Sequence, residues 1–454
     1  MTPLLPFLYS FLLGLLITSV ALRKSQNIGS FLFCLLSVGI GLGASSTLIF
    51  FSFLLCGGFN IPIIILLHAG LTLALAMILF AGRYRHIKFN ANQIFSSWVY
   101  IILFAAASYV VYILACSHPF GEWDGWAVWN MKAKFLIAST SNWKDLFQEL
   151  HWHTQPDYPL LLPMINVWGS TMIQKYSPQV PFWTGIIFTV ACPALVFSGL
   201  KQYAENRTAL LGSCLILFLP AYIYLGTTQY ADIVFAYYLL AVCVCFVLFT
   251  REKENGFGIL LGLFLGFLSF SKNEGFVAFL LFFILIFFYR CRPFKKIWTN
   301  LSSLLPVVQG LIFTLPAPLI FKFFLSPANR DITLKNSPSS LKFLNWEGCY
   351  LVTTSFFQEI SSAVWNYLWI ALAILIVWRA PRFIKKESGV LTLFFLCYAL
   401  CVFFVYLTTA NFDLMWRLSR TLQRILFCLL PSLVFLVFYC CWNKEKANTP
   451  NEKP

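Results

Sequence analysis

The chain holds 454 residues, of which 59% are hydrophobic, 18% aromatic and only 11% charged, and its mean hydropathy is +0.78. An ordinary soluble domain is clothed in about 25% charged residues, so this composition excludes a large water-exposed surface, and it is too apolar for disorder. The formal charge of +15 points to nucleic acid only at first sight: no interleaved basic and aromatic module is present, and in a membrane chain a basic excess records orientation. What remains is an all-α integral membrane protein.

Crossing the hydrocarbon takes about 20 mostly apolar residues. Thirteen apolar stretches qualify, all without Asp, Glu, Lys or Arg except for Asp232 at the start of one, near 3–22, 28–56, 61–82, 96–116, 181–200, 208–225, 231–250, 257–270, 275–289, 301–321, 361–378, 389–408 and 425–442. The first lacks a small-residue cleavage site and is read as a retained anchor. Those at 257–270 and 275–289 meet at Ser271–Glu274 and form either two helices or one hairpin-like unit. With the Arg23-Lys24 loop placed inside, the inner segments hold 20 of the 32 Lys and Arg but 6 of the 17 Asp and Glu. Nearly all the excess charge then lies on one side, as the positive-inside rule requires. Two long segments fall outside, about 117–180 and 327–360. Residues 158–174 are apolar enough for another span, but counting them would flip every later loop. They are therefore expected to lie in the interface or re-enter, with Pro159 and Pro163 suiting an irregular start. The chain divides into an N-terminal three-helix addition over 1–95, a membrane module over 96–442 and a polar, disordered cytoplasmic tail over 443–454. Twelve of the fourteen cysteines fall within the bounds of these apolar spans, and no CxxC or Cys/His zinc spacing occurs, so no disulfide framework is expected.

Ionisable groups next to hydrocarbon are costly unless paired or wetted, so they mark function. Gly121-Glu122-Trp123-Asp124-Gly125-Trp126 puts two carboxylates among indoles at the membrane surface. It reads as an aromatic belt with solvated acids or as a tuned general base. In Gln155-Pro156-Asp157-Tyr158-Pro159, Asp157 is a turn residue or a substrate ligand. Asp232 in Gln229-Tyr230-Ala231-Asp232 is a helix cap or a buried functional acid. Ser271-Lys272-Asn273-Glu274-Gly275 is a self-neutralising turn or a cation offered to a phosphate. Arg417, Arg420 and Arg424 follow i, i+3, i+7 spacing on one helical face, either snorkelling or holding an anion. Together, acids and cations crowd the outer surface, as a reaction at a lipid-phosphate headgroup requires.

These residues, together with Lys132-Ala133-Lys134, Pro156-Asp157-Tyr158-Pro159-Leu160-Leu161-Leu162-Pro163 and Arg424-Ile425-Leu426 before Pro431, resemble the GT-C superfamily of polytopic glycosyltransferases. More narrowly, the chain is similar over about 96–440 to the bacterial branch of the dolichyl-phosphate-mannose protein mannosyltransferase family, which includes lipopolysaccharide sugar transferases of the Rgt type. The resemblance implies a multi-pass protein of the cell inner (plasma) membrane with its active site on the extracytoplasmic side. It implies transfer of a sugar, usually with inversion, from a polyprenyl-phosphate donor to a glycan, lipid or protein acceptor. By the same resemblance Asp124 is the catalytic base and Glu122 orients it or helps hold a metal. Lys272 with Arg420 or Arg424 takes the donor phosphate, and Asp157, Tyr158, Asp232 and Glu274 bind substrate. Relatives often carry His-Pro-Pro-Leu where this chain has Gln155-Pro156-Asp157-Tyr158, and Glu122 replaces an aspartate. No cofactor is fixed, and a divalent cation at Glu122 and Asp124 stays open. The chain also lacks a Gly-rich phosphate loop or a dinucleotide-binding pattern. The competing classes are a transporter or lipid flippase, whose charges sit near the bilayer midplane, often with internal repeats, and an oligosaccharide ligase or polymerase.

Overall fold

The computed structural model describes residues 4–23, 27–81, 88–89, 98–291, 301–329, 344–408 and 413–443. The tail expected to be disordered lies, apart from Asn443, outside the described residues, as do most of the loop at 83–95 and the middle of that at 327–360. The described chain is helical almost throughout; its one strand pairing is a two-residue parallel contact of Asn27–Ile28 with Lys88–Phe89.

Three helices open the chain: α1 (Leu4–Ala21), α2 (Ser30–Cys56) and α3 (Ile61–Ala81). Then follow α4 (Trp98–Ser117), a π-helical turn (Gly125–Asn130), α5 (Met131–Ala138), α6 (Leu161–Ser170) and α7 (Gln179–Leu200). Next come α8 (Asn206–Leu217), α9 (Pro220–Thr227), α10 (Ala231–Glu252), α11 (Asn255–Ser271) and α12 (Asn273–Arg290). The last are α13 (Leu305–Thr314), α14 (Pro316–Ile320), α15 (Trp346–Ile360), α16 (Leu368–Trp378), α17 (Ala380–Phe383), α18 (Lys386–Leu407) and α19 (Leu414–Trp442). Eight of the described helices are long and apolar enough to cross a membrane, or ten if each of two bent pairs is one span. The bends, 62° between α8 and α9 and 55° on entering α14, fall where Pro220 and Pro316 open the second helix. The shorter apolar helices α4, α11 and α16 occupy the remaining expected spans. The chain is an all-α polytopic membrane protein.

Helix α10 is the axis. Every residue from Ala231 to Phe249 is buried, which is why this stretch is apolar all round with no polar stripe. The first helices are seated against it: Tyr237 and Tyr238 donate to the carbonyls of Leu35 and Gly39 on α2. Segment 158–174, expected to lie in the interface or re-enter, forms a short helix packed inside the bundle. Its helix α6 is buried on every side and, at about 1.5 Å per residue, some 15 Å long, too short to span. Pro193 inside α7 cannot bond the carbonyl four residues back, and the Tyr222 hydroxyl satisfies that Thr189 oxygen at 3.1 Å. All fourteen cysteines are free.

Close helix approach rests on small residues, since lipid supplies no hydrophobic drive between helices. On α11 and α13, Gly262 faces the Val307 carbonyl and Gly310 faces the Ile259 carbonyl, and a Cβ on either would collide with that oxygen. At the end of the bundle reached by the α10 C-terminus, Glu387 accepts from Arg251 and Tyr439 at 2.5 Å each, joining α10, α18 and α19. Gly310→Leu should force α11 and α13 apart and lower the thermal midpoint in detergent by an amount equivalent to about 1–3 kcal/mol. Gly70→Ala, whose Cβ meets nothing within 4 Å, should leave it unchanged.

Candidate functional site

At the other end of α10 the charged residues converge. Tyr230 is the N-cap of α10, with extended backbone and no side-chain cap bond, and Asp232 sits in the first turn. Its carboxylate therefore lies near the positive end of the helix dipole but does not cap its own helix. It turns instead to two cations. Lys272 Nζ donates to Asp232 Oδ1 at 2.9 Å, and Arg424 donates to Oδ2 through Nη2 at 2.8 Å and Nε at 3.2 Å. The Cys428 thiol lies 3.4 Å from Oδ1. With its side chain only 2% exposed, Asp232 is saturated.

Lys272 reaches this depth because it is the single residue between α11 and α12, in extended conformation. The 271–275 segment is thus two helices with a one-residue joint. Lys272 also lies 3.5 Å from Glu274 Oε1. Arg424 stacks its guanidinium 4.4 Å from the Tyr230 ring centroid and spends its remaining arm on Asp124: Nη1 donates to Asp124 Oδ2 at 2.5 Å. Two cations thus meet three carboxylates in one network. Exposure grades outward: the side chains of Asp124 and Glu274 are 32% and 34% exposed, against 19% for Arg424 and 6% for Lys272.

The acidic motif is held over this network by backbone contact. Gly121 has φ +73°, and a Cβ there would strike the Thr228 carbonyl; the same oxygen accepts the Glu122 N–H at 3.1 Å. Only glycine meets both demands. Glu122 faces away from the network, accepting from the Tyr224 hydroxyl at 3.2 Å and lying 3.2 Å from His118 Nδ1. The exposed rings of Trp123 and Trp126 meet edge to face at 4.6 Å beside it.

Asp157 is buried, 5% exposed, and accepts from Asn273 Nδ2 at 2.7 Å, while Lys322 Nζ donates to Asn273 Oδ1 at 3.0 Å. Its loop is fastened from below by Lys132, a fully buried lysine that donates to the carbonyls of Gln155 at 2.6 Å and Tyr158 at 3.2 Å. Burial lowers the Lys132 pKa to about 7, and Asp157 partly opposes the shift. Tyr158 packs its ring 5.6 Å from Trp129.

Of the expected residues, Asp124, Asp232, Lys272, Glu274 and Arg424 form the network. Asp157 adjoins it through Asn273, and Tyr158 and Glu122 stand at its margins. Of the two arginines expected at the donor phosphate, Arg420 is exposed, one turn further out along α19 than Arg424, and makes no ion pair among the described residues. Sequence reasoning missed Lys322 and the buried amides. Asn130 Nδ2 donates to Gln229 Oε1 at 2.8 Å, Asn166 Nδ2 to Asn130 Oδ1 at 3.2 Å, and Thr184 Oγ1 to Asn166 Oδ1 at 3.1 Å. This ladder fixes the π-helical turn, α6 and α7 to the Gln229 segment. Lys322 carried a visible signal as the sole charge between 301 and 329.

A divalent ion would need Glu122 and Asp124 to converge. They turn to different partners, with Arg424 already on Asp124, and among the described residues no group of three His, Cys, Asp or Glu side chains gathers. As arranged, Glu122 and Asp124 do not form a two-carboxylate metal site.

Asp232→Asn should strand two buried cations and cost about 3–5 kcal/mol, seen as a collapsed thermal midpoint in detergent. Asp124→Asn, at a wetted position, should keep the midpoint near wild type, with a change of at most about 1 kcal/mol. Equal losses in both would contradict the central place given to Asp232.

Residues 157–317 match the dolichyl-phosphate-mannose-protein mannosyltransferase family, of GT-C type. The matched segment begins at Asp157 and contains Asp232, Lys272, Asn273 and Glu274; Asp124, Lys322 and Arg424 lie beyond it. No curated protein and no solved structure matches the chain.

Proposed function

We propose that this chain, a membrane glycosyltransferase of the GT-C type, moves a sugar from a polyprenyl-phosphate donor to an extracytoplasmic glycan, lipid or protein acceptor, with inversion. The observation that carries the reading is the Asp124–Arg424–Asp232–Lys272 chain, in which residues up to 300 positions apart meet at one end of the bundle. The basic loops, by the positive-inside count, belong to the opposite end.

In this reading each residue has one task. Asp232 is the anchor that holds Arg424 and Lys272 in place, since it is buried and already bonded. The Asp124 arm of Arg424 is the point of exchange. A donor phosphate entering beside Nη1 competes with the Asp124 carboxylate for that N–H, and a dianionic or diester phosphate oxygen makes an equally strong charge-assisted bond. Released from the guanidinium, Asp124 Oδ2 is free to accept a hydrogen bond from an acceptor hydroxyl. The acceptor hydroxyl then gives its proton to Asp124 as its oxygen bonds to the anomeric carbon. The bond from that carbon to the phosphate oxygen breaks, and the electron pair leaves on the polyprenyl phosphate, held by Arg424 and Lys272. Asp157 and Tyr158, fixed by Lys132 and Asn273, border the sugar, and Glu122 with Tyr224 borders the acceptor. No step calls for a metal.

The test is purified protein with radiolabelled polyprenyl-phosphate sugars. Asp124→Asn should reduce transfer ~10²–10⁴-fold, the contribution of a positioned base; transfer at the wild-type rate would refute the assignment. Arg424→Lys keeps a charge for Asp232 but loses the fork, so apparent donor affinity should fall roughly 10-fold or more while acceptor affinity holds. An unchanged donor affinity would remove the phosphate from Arg424. Transfer should persist in excess chelator, and magnesium-restored activity after chelation would put an ion at the carboxylates.

A further inference from the structure

A groove of about 1240 Å3 lies between α1, α2 and α3 on one side and α11 and α13 on the other, away from the network just described. Its walls are mostly aliphatic and aromatic. Its rim carries Arg23, Lys253, Glu254 and Asn255, and its deep end is closed by Phe51, Phe267 and Thr314. Lys253 follows the C-terminus of α10, whereas Asp232 opens that helix, so the rim stands at the end of the bundle opposite the acid–cation network.

We infer that this groove holds the acyl chains of a glycerophospholipid from the leaflet opposite the active end, with the lipid phosphate at Arg23 and Lys253. Three observations choose that occupant. The groove exceeds the roughly 300–1,000 Å3 of small-molecule pockets, and its lining is too apolar for a free sugar or nucleotide. Along α11 it runs from Asn255 to Phe267, about 18 Å at 1.5 Å per residue, which is close to one leaflet, half of a hydrocarbon core about 30 Å thick. The rim sets two exposed cations against one carboxylate, a balance that suits a phosphate diester and not a neutral headgroup. The sugar donor is the wrong occupant. Its phosphate belongs beside Arg424 and Lys272, so a donor chain running down the groove would bring bare hydrocarbon to Arg23 and Lys253.

The full chain, purified in mild detergent and weighed intact by native mass spectrometry, should retain about one glycerophospholipid. Arg23→Ala with Lys253→Ala, both at exposed positions, should lower that retention roughly 10- to 30-fold, as loss of two cations near a lipid phosphate predicts. Ala44→Trp should fill the groove and expel the lipid with the rim intact; if that variant fails to fold, the rim variant decides alone. After delipidation, dioleoylphosphatidylglycerol should raise the thermal midpoint and dioleoylglycerol should not. Polyprenyl phosphate in place of the phospholipid, no lipid retained by the wild type, or retention unchanged in the rim variant (annular lipid only) would each overturn the inference.

Discussion

Asp232 imposes the condition that the rest of its end of the bundle satisfies. A carboxylate this deeply buried cannot stay ionised without opposite charge at hydrogen-bond distance, and Lys272 and Arg424 supply it from the α11–α12 joint and the last helix. Such a cluster adds little net stability, because desolvating the charges consumes most of their attraction. What it adds is register: three helices approach one end of α10 in only one way that leaves no charge unpaired. Asp124 is then placed by the one guanidinium arm the anchor leaves over.

The two ends of the bundle use charge differently. At the Arg251–Glu387–Tyr439 end the groups close on one another and tie α10, α18 and α19. At the Asp232 end the chain of pairs ends on wetted carboxylates, so a newcomer can displace one of them without exposing the buried pair. Contacts outside the network make that end stiff. The amide ladder through Asn130 and Asn166, the Lys132 clamp on the 155–158 carbonyls and the Gly121–Thr228 contact hold the 117–180 segment without drawing on the acid–cation network. Preorganisation of this kind is where transition-state stabilisation comes from.

The helices were legible in the sequence because the hydrocarbon demands long apolar runs, and the Asp232–Lys272–Arg424 meeting because each charge interrupts such a run. Other features were less visible, for physical reasons. Hydropathy does not separate lipid from protein surroundings, so α6 read equally well as interfacial or internal. Neutral amides such as Asn166 and Gln229 interrupt a run too weakly to stand out. Lys132 resembled any loop lysine, since burial by α6 and the 155–158 turn comes from tertiary contact. Helical spacing grouped Arg420 with Arg424, yet spacing gives the face and not the depth, and depth decides which arginine meets a carboxylate.

That Arg424 sits in the last helix has a consequence for biosynthesis. Chains leave the ribosome and enter the bilayer from the amino end, so Asp124, Asp232 and Lys272 are in place while the guanidinium that unites them is still unmade. Until α19 threads in, Lys272 is the one cation bonded to the Asp232 carboxylate, and the Asp124 carboxylate lacks its guanidinium. A chain that stops short of α19 leaves Asp124, Asp232 and Lys272 without the guanidinium that joins them.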